Sequence, residues 1–386
     1  MITITALKRP PTASGVVYFR QLQPLMHLNK YCKDVCNVQF VAEEELPLAL
    51  PNTDIYFSPT PAFDRSRRIH ETMQDMFPKV KIVYDFDDSP WRHIPMTHPS
   101  YVFTGLIDGK QNLGCGYKFV WENKETTMEV GGTVHTFDIT RNSRSIDTQK
   151  WLASNADRLT TTTDVLSKAL VSEYDLKTKP EVLPNFLIPE LYTPVKDITK
   201  DEDEIRIGWI WGFSHLKDFL DLLPYLKDVV NKYPNVKVYL MTEFELKPEL
   251  LTDQFIVIPA KSIFNGYFDI VRNMDLDIGL MHLAENNTYN RCKSPLKYLE
   301  MSALGAVSVA PVTLYGDYID PNKSGLLYQN KDDFKDKLSK AIEDKQARLD
   351  MLKEAKKLLP TYSAGSVVLK YLDLFENIVG DNACAN

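Results

Sequence analysis

The sequence has 386 residues, of which 44% are apolar and 25% are charged, and its formal net charge is −7. The length exceeds what one compact core usually holds and suits two domains, and the composition is typical of a soluble globular protein. The negative charge excludes a global basic field that would attract nucleic acid, although a local basic face stays compatible with it.

Strand-like and helix-like segments alternate through the first half of the chain. Short β-branched runs predict strands, and longer amphipathic runs between them predict helices. The predicted strands include "ITITAL" (2–7), "CNVQFVA" (36–42), "TDIYFSP" (53–59) and "KVKIVYDFDD" (79–88). This alternation favours a parallel sheet that is covered by helices on both faces.

Residues 102–140 break this rhythm. They lack helical periodicity and are rich in Gly, Thr and aromatic residues. Within them, "YKFVWEN" (117–123) and "TVHTFDI" (133–139) predict a hairpin. Long irregular insertions in compact domains are usually binding loops or lids, so we expect this insertion to shape one side of a ligand site.

The alternation restarts after the acidic, Pro-containing stretch 189–204, which is typical of a linker. We predict an α/β protein with two doubly wound domains, residues 1–187 and 188–364, that face one central cleft. An amphipathic helix at 365–386 is predicted to cross back to the first domain. Ligands of such sheets bind beyond the carboxyl ends of the strands.

The cysteines and the N-terminus indicate a cytoplasmic protein. There are five cysteines, an odd number, which argues against a disulfide framework. The sequence does not contain two C-x-x-C motifs, which argues against a structural zinc site. "MITITALKRPP" has no apolar core of a signal peptide, and no apolar stretch approaches the length of a membrane span. We therefore expect no membrane insertion.

The stretch "YNRCKSPLKYLEMSALGAVSVA" (289–310) concentrates polar residues at the start of a predicted helix. Ser294 is the expected N-cap and Gly305 the expected C-terminal cap. Lys293 and Lys297 would attract an anion such as a diphosphate, and Glu300 could accept hydrogen bonds from vicinal hydroxyls. The alternative is a capped core helix that carries a Lys297–Glu300 surface pair.

"AENNTYNRCKSPLKYLEMSALGAVSVAP", continued by "YGDYIDPNKSGLL", resembles the donor-site block of GT-B glycosyltransferases of the family-four type. The resemblance implies two Rossmann-like domains and a retaining transferase whose donor is a nucleotide-diphosphate sugar, with UDP as the expected nucleotide. It implies that Glu300 binds the ribose and that no cofactor or divalent cation is needed. The matched positions are Glu285, Asn290, Lys293, Ser294, Lys297, Glu300, Gly305, Tyr315 and Gly325.

Two further blocks resemble the same family. "SGVVYFRQLQPL" is similar to the first loop, which implies that Gly15 and Arg20 face the donor. "IGWIWGFSHLKDF" is similar to the start of the second domain, which implies donor contacts from Gly212, His215 and Lys217. Many family members carry two glutamates eight residues apart. Cys292 stands at the earlier place here, and Glu285 of the preceding loop is the expected substitute, so Lys293 and Glu285 are catalytic candidates.

"YDFDDSPWRHIPMTHPSY" (84–101) follows a predicted strand into the cleft. Asp87 and Asp88 are candidates for a general base, and an acidic turn in solvent is the alternative. The predicted acceptor-binding residues are Asp85, Trp91, His93, Arg65, Arg68 and Trp121.

The combination of "DFDDSPW" (85–91) with "WENKETTMEVGGTVHTFDITRN" (121–142) also resembles glycosyltransferases encoded by tailed phages and some bacteria. Some such enzymes modify hydroxymethylated bases in DNA, which must be exposed or flipped from the stack. Modified DNA is therefore a candidate acceptor, and the host cytoplasm is the expected location if the chain is phage-encoded. Surface glycans, a protein hydroxyl and a small molecule stay open as acceptors. A sugar-nucleotide epimerase and a non-catalytic binding subunit are the competing functions, and the sequence does not predict the oligomeric state.

Overall fold

The computed structural model of the protein describes residues 1–8, 15–59, 64–95, 98, 100–105, 119–122, 125–130, 133–201 and 203–383. Its described strands form two parallel six-stranded sheets and a small antiparallel sheet. They are β1 Ile2–Leu7, β2 Cys36–Val41, β3 Ile55–Pro59, β4 Lys81–Phe86, β5 Phe119–Glu122, β6 Glu125–Val130, β7 Thr133–Phe137, β8 Arg158–Thr161, β9 Glu181–Val182, β10 Ile205–Ile210, β11 Val236–Thr242, β12 Phe255–Pro259, β13 Ile278–Leu280, β14 Val307–Pro311 and β15 Leu326–Tyr328.

Helices cover the faces of the two large sheets. They are α1 Gly15–Val17, α2 Gln23–Tyr31, α3 Leu46–Ala49, α4 Asp64–Met76, α5 Tyr101–Thr104, α6 Ile139–Asn155, α7 Asp164–Tyr174, α8 Pro189–Tyr192, α9 Leu216–Val230, α10 Tyr267–Asn273, α11 Thr288–Arg291, α12 Leu296–Ala303, α13 Val312–Tyr315, α14 Lys331–Glu343, α15 Lys345–Ala355 and α16 Ala364–Ala383.

Both large sheets have the strand order of a doubly wound fold. The second sheet runs β12-β11-β10-β13-β14-β15, which is the 3-2-1-4-5-6 order of a Rossmann domain. The first sheet runs β2-β1-β3-β4-β8-β9, a 2-1-3-4-5-6 order that has one strand fewer beyond its first strand and one more at the opposite edge. Every neighbouring pair is parallel, with Ile4 opposite Val38 and Ile207 opposite Val238. The predicted α/β architecture of two doubly wound domains is therefore confirmed.

The last helix, α16, belongs to the core of the first sheet. Its apolar residues recur at the spacing of one helical face, so one stripe packs inward. That stripe contacts buried side chains of β1 and α2, among them Ile4 and Leu25. Burying each large apolar side chain contributes about 1.5–3 kcal/mol, which fixes α16 firmly in place. The stripe comprises Val367, Val368, Tyr371, Leu374, Phe375 and Ile378.

The chain crosses between the domains twice, and the two crossings lie side by side. The Leu187 N–H donates to the carbonyl oxygen of Tyr362 at 2.9 Å, and Leu187 and Ser363 form an isolated parallel bridge. The first crossing leads into α8 and the second into α16. Any change in the angle between the domains therefore bends the chain at both crossings.

Two local predictions are corrected by the structure. The predicted hairpin joined 117–123 directly to 133–139, but β6 lies between β5 and β7 and pairs antiparallel with both. The polar and threonine-rich sequence of β6 concealed this middle strand. In addition, the helical segment at 16–31 contains a π-helical turn at Tyr18–Leu22 between α1 and α2. That turn directs three successive side chains, Phe19, Arg20 and Gln21, into the interior.

Within the described residues, none of the helices combines the length and the apolar character that a membrane crossing requires.

Candidate active site

A cleft of about 1190 Å³ lies between the two domains at the carboxyl ends of their strands. The first domain contributes Gly15, Asp87 and Trp91 to its lining, and the second domain contributes Gly212 and Lys293. This is where ligands bind in doubly wound sheets, because the loops that follow the strands meet there.

The polar stretch of the second domain lines this cleft. Helix α12 begins at Leu296 with Pro295 as its N-cap, so the predicted Ser294 cap is wrong by one residue. Gly305 ends the helix with a φ of +86°, a left-handed conformation that favours glycine, as predicted. Lys293 and Lys297 lie half-buried in the cleft wall.

Glu300 lies one turn further along α12 and is 7% exposed. Its Oε1 atom accepts hydrogen bonds from the Tyr192 hydroxyl at 2.9 Å and from the Tyr267 hydroxyl at 3.0 Å. Burial raises the pKa of Glu300, and the two tyrosine hydrogen bonds oppose that rise. Glu300 is therefore a fixed acceptor in the cleft and not half of a surface pair with Lys297.

The two lysines have few partners in the protein. Lys297 makes no hydrogen bond or ion pair with any residue that the structure describes. Burial and the neighbouring Lys293 lower the pKa of Lys297 to about 8. Lys293 lies 4.5 Å from the ring centroid of Tyr289 and donates to its hydroxyl at 3.4 Å. An anion in the cleft would offset the repulsion between the two ammonium groups.

The loops on either side of these lysines hold the other predicted donor residues. His215 shares a hydrogen bond of 2.6 Å with Asp218, and burial, followed by the charge of Lys297, lowers its pKa to about 4. Lys217 forms an ion pair with Glu285, and both side chains line a small pocket with His215 and Lys293 and are absent from the described cleft lining. The Asn290 side chain donates to the backbone oxygen of Glu285 at 2.8 Å and thereby holds the loop.

A hydrogen bond between His98 of the first domain and Tyr289 of the second domain lies in the cleft lining. The Ser100 N–H donates to Nδ1 of His98 at 3.1 Å, so the neutral ring carries its proton on Nε2. Burial lowers the pKa of His98 to about 3, which keeps the ring neutral. Nε2 then donates to the Tyr289 hydroxyl at 2.8 Å. His98 therefore links the first domain to Tyr289, the residue whose hydroxyl accepts a hydrogen bond from the Lys293 ammonium.

Arg20 and Asp85 require a correction, because both are fully buried and bind each other. Arg20 Nη2 and Nε donate to the two carboxylate oxygens of Asp85 at 2.5 and 2.8 Å. Arg20 Nη1 donates to the backbone oxygen of Leu183 at 2.7 Å and to the Asn185 side chain at 3.1 Å. With their hydrogen-bonding groups occupied inside the protein, they do not contact a donor or an acceptor.

Asp87 is the acidic residue that this buried pair supports. The orientation of Asn185 is fixed by Arg20, so its amide nitrogen points to Asp87 at 3.5 Å and to the Ser294 hydroxyl at 3.0 Å. Burial and the adjacent Asp88 carboxylate raise the pKa of Asp87 to about 7. Asp87 can therefore gain or lose a proton at neutral pH, and it lies with Asp88 in the cleft lining.

The remaining acceptor candidates are dispersed. Trp91 lines the cleft, and so does Arg65, which pairs with Glu43 at the rim. His93 is corrected, because it shares a hydrogen bond of 3.0 Å with Glu173 of α7 and is absent from the described cleft lining. Arg68 is exposed on α4 and is likewise absent from that lining. The Trp121 side chain lies outside the described residues.

Cys292, at the place of the family's earlier glutamate, does not face the cleft. Its side chain is fully buried with the apolar core residues of the first domain, and burial raises the pKa of its thiol to about 12. Its backbone oxygen accepts a hydrogen bond from the Thr163 hydroxyl at 3.4 Å. This position therefore stabilises the contact between domains and supplies no acidic group.

Sequence reasoning missed several residues that the structure brings into the site. Asn185, Tyr192 and Tyr267 reach it from the interdomain connection and from α10. Each lies in an ordinary core-like segment, and only the Pro-Asn pair before the linker gave any signal. Among the described residues, no group of three or more His, Cys, Asp or Glu side chains could hold a metal ion.

Neither a family model nor a curated protein matches the chain. Solved structures do match it over nearly their full length. HepE from Anabaena in complex with UDP-glucose has a TM-score of 0.63 at 10% identity, and the match covers 98% of this chain and 100% of that one. A glycosyltransferase from Rickettsia africae has a TM-score of 0.63 at 11% identity and 98% coverage of both chains.

Sucrose-phosphate synthase from Thermosynechococcus elongatus has a TM-score of 0.62 at 12% identity. That match covers 99% of this chain and 100% of the other. At such low identities the likeness establishes the fold and no more. Together with the two sheets and the cleft between them, it shows that this chain has the GT-B architecture.

Proposed function

We propose that the protein is a glycosyltransferase that moves a sugar from a UDP-sugar to an acceptor hydroxyl with retention of configuration. The observation that carries the proposal is the pair Lys293 and Lys297 in the cleft lining, beside the buried carboxylate of Glu300. Two cations and one acceptor between residues 293 and 300, at the start of α12 and just before it, suit a nucleoside diphosphate, which offers an anionic diphosphate and a ribose diol.

The donor roles follow from the positions of these groups. Lys293, Lys297 and the Ser294 hydroxyl bind the diphosphate, and Glu300 binds the ribose. Gly15 and Gly212 line the cleft without side chains and leave room for the donor. The complex of HepE with UDP-glucose supports UDP as the nucleotide.

Three residues of the second domain, Lys217, His215 and Asn290, support this donor site. Lys217 is held in place by Glu285, which reduces its charge toward the phosphates. His215 is neutral and offers hydrogen bonds without charge. Asn290 fixes the loop that precedes Lys293.

The chemistry needs stabilisation of the leaving group. The bond between the anomeric carbon and the phosphate oxygen breaks, both electrons pass to that oxygen, and the acceptor oxygen bonds to the carbon on the same face. The acceptor proton passes to the departing phosphate. Lys293, whose positive form is favoured by Tyr289 and Asp88 more than burial disfavours it, neutralises the charge that develops. Asp87 and Asp88 bind the acceptor hydroxyl from the first domain, and Asp87 can exchange its proton.

The acceptor side of the site belongs mainly to the first domain in this proposal. Trp91 and Arg65 are the described side chains on that side, and we propose that residues 102–140 with Trp121 complete it. A hydroxymethylated base in phage DNA stays a candidate because of the sequence resemblance. The arginines near α4 do not favour it, because Arg65 and Arg67 are paired with carboxylates and the net charge is −7. Family-four membership, phage origin and a cytoplasmic location belong to this proposal.

The direct test is turnover of UDP-sugars with and without acceptors. A panel with hydroxymethylated DNA, glycans, peptides and small alcohols should give a glycosylated product and UDP with at least one acceptor. Glu300→Gln should weaken UDP binding about tenfold or more, because a charged acceptor is lost. Lys293→Met should reduce turnover more than binding, because its effect grows as the sugar bond breaks. Lys323→Met, an exposed lysine that is absent from the described cleft lining, is the matched control.

The other outcomes point elsewhere. A changed sugar nucleotide in the absence of any acceptor would favour an epimerase. Binding of UDP without turnover of any sugar would favour a non-catalytic subunit. Activity that survives a chelator would support the expectation that no divalent cation takes part, and loss of activity restored by Mg²⁺ would contradict it.

A further inference from the structure

The carboxylate of Glu300 offers a ligand only one of its two oxygens. A carboxylate oxygen accepts about two hydrogen bonds. Oε1 already receives both, from Tyr192 at 2.9 Å and from Tyr267 at 3.0 Å. No described residue donates to Oε2. A ribose diol that used both carboxylate oxygens, one for each hydroxyl, would have to displace a buried phenol.

The two tyrosines differ in their access to the cleft. Tyr192 is 1% exposed, lies in the short helix after the interdomain connection and is absent from the described cleft lining. Tyr267, the first residue of α10, is half-buried and lines the cleft beside Glu300. A phenol that donates its single hydrogen keeps lone pairs that can accept one. Tyr267 can therefore give its hydrogen to Glu300 and receive one from a ligand.

We infer that the ribose diol is bound by two different acceptors, Oε2 of Glu300 and the hydroxyl oxygen of Tyr267, with Tyr192 as a positioning residue. The inference rests on the proposed function, since it assumes that a nucleoside diphosphate occupies the cleft. Each ribose hydroxyl donates to one acceptor, and Tyr192 holds the carboxylate in the orientation that presents Oε2. Tyr267 is thereby a specificity-determining residue for ribose over deoxyribose.

A purely structural role for the tyrosines makes a different prediction. If they only satisfied a buried carboxylate, removing either hydroxyl would disturb Glu300 in the same way. The affinities for UDP and for its deoxy analogues would then fall together. Under the inference, the two tyrosines separate, because only Tyr267 contacts a ribose hydroxyl.

The experiment compares the calorimetric affinities of UDP, 2′-deoxy-UDP and 3′-deoxy-UDP. The wild-type protein should prefer UDP over both analogues. Tyr267→Phe should bind UDP about three- to tenfold more weakly and should lose its preference over one analogue while it keeps its preference over the other. Tyr192→Phe should instead reduce the preference over the other analogue, because it disturbs only the contact that Glu300 makes. The control is Tyr298→Phe, on the same helix, whose hydroxyl donates to the Ser324 oxygen and away from Glu300.

The outcomes separate this inference from the function on which it rests. If the wild-type protein binds no UDP, or if Glu300→Gln leaves UDP affinity unchanged, the proposed donor site itself is wrong. If Glu300→Gln weakens binding but Tyr267→Phe behaves like Tyr298→Phe, only the inference is overturned. If the wild-type protein does not discriminate against either deoxy analogue, the inference is overturned without any variant. Thermal unfolding of each variant shows whether it is folded.

Discussion

The two lysines that line the cleft in the second domain lack the ion pairs that Arg20 and Arg65 of the first domain form. In the first domain, Arg20 is bound by Asp85 within the core, and Arg65 at the rim is paired with Glu43. In the second domain, Lys297 has no partner among the described residues, and Lys293 forms no ion pair with a described carboxylate. We infer that a charged side chain with an ion-pair partner in the protein stabilises the fold, whereas one without such a partner is available to bind a ligand.

Removal of one member of the buried pair should have the largest effect. Arg20→Ala leaves the Asp85 carboxylate buried without its counter-charge, so we expect the free energy of unfolding to fall by about 3–5 kcal/mol. Urea unfolding measures the loss. The control is Arg67→Ala, whose exposed pair with Glu71 and cation–π contact with the Trp151 ring should together contribute only about 1 kcal/mol. Equal losses for the two variants would erase the contrast between the domains.

In the second domain, Lys297→Met should impair binding and not folding. We expect UDP affinity to fall about tenfold or more, because a charge-assisted contact to phosphate is lost. Affinity for uridine, which lacks phosphate, should not change. Stability should hold or rise, since a desolvated ammonium is removed. Calorimetry with both ligands, beside Lys323→Met, would refute the assignment if uridine and UDP lost affinity equally.

The pH dependence of binding sharpens the same point. The pKa of Lys297 is lowered to about 8 in the ligand-free protein, and the diphosphate requires the protonated form. Binding should therefore be fully present well below pH 8 and should weaken as pH rises through that value, by up to about tenfold per pH unit. UDP titrations from neutral to alkaline pH give this profile. Lys297→Met should flatten it, and an unchanged slope in that variant would assign the titration to another group.

The smallest effect is expected at the rim of the first domain. Arg65→Gln removes an exposed pair with Glu43, which solvent screens, so the free energy of unfolding should hardly change. Turnover with an uncharged acceptor should be unaffected. If DNA is the acceptor, its KM should rise, and the rise should grow smaller at higher salt. A fall in UDP affinity would contradict our assignment of Arg65 to the acceptor side.

The sequence predicted the two sheets because strand and helix periodicities are local signals. It also predicted that Lys293, Lys297 and Glu300 line the cleft, because they lie close together in the sequence. It could not predict that Arg20 meets Asp85, because the two are 65 residues apart and the π-helical turn that directs Arg20 inward leaves no clear pattern. Likewise, Tyr192 reaches Glu300 across 108 residues. Such pairings depend on the packing of whole elements, which periodicity does not encode.

The place of α16 has a consequence for how the protein is made. A ribosome releases domains in order, and N-terminal domains usually fold first. Here the first sheet receives part of its apolar cover from Val367, Tyr371 and Phe375, which are translated after the entire second domain. Until then the nascent chain exposes the face formed by residues such as Ile4 and Leu25. The second domain should therefore complete its core earlier, and the first domain should remain a client for chaperones until translation is nearly finished.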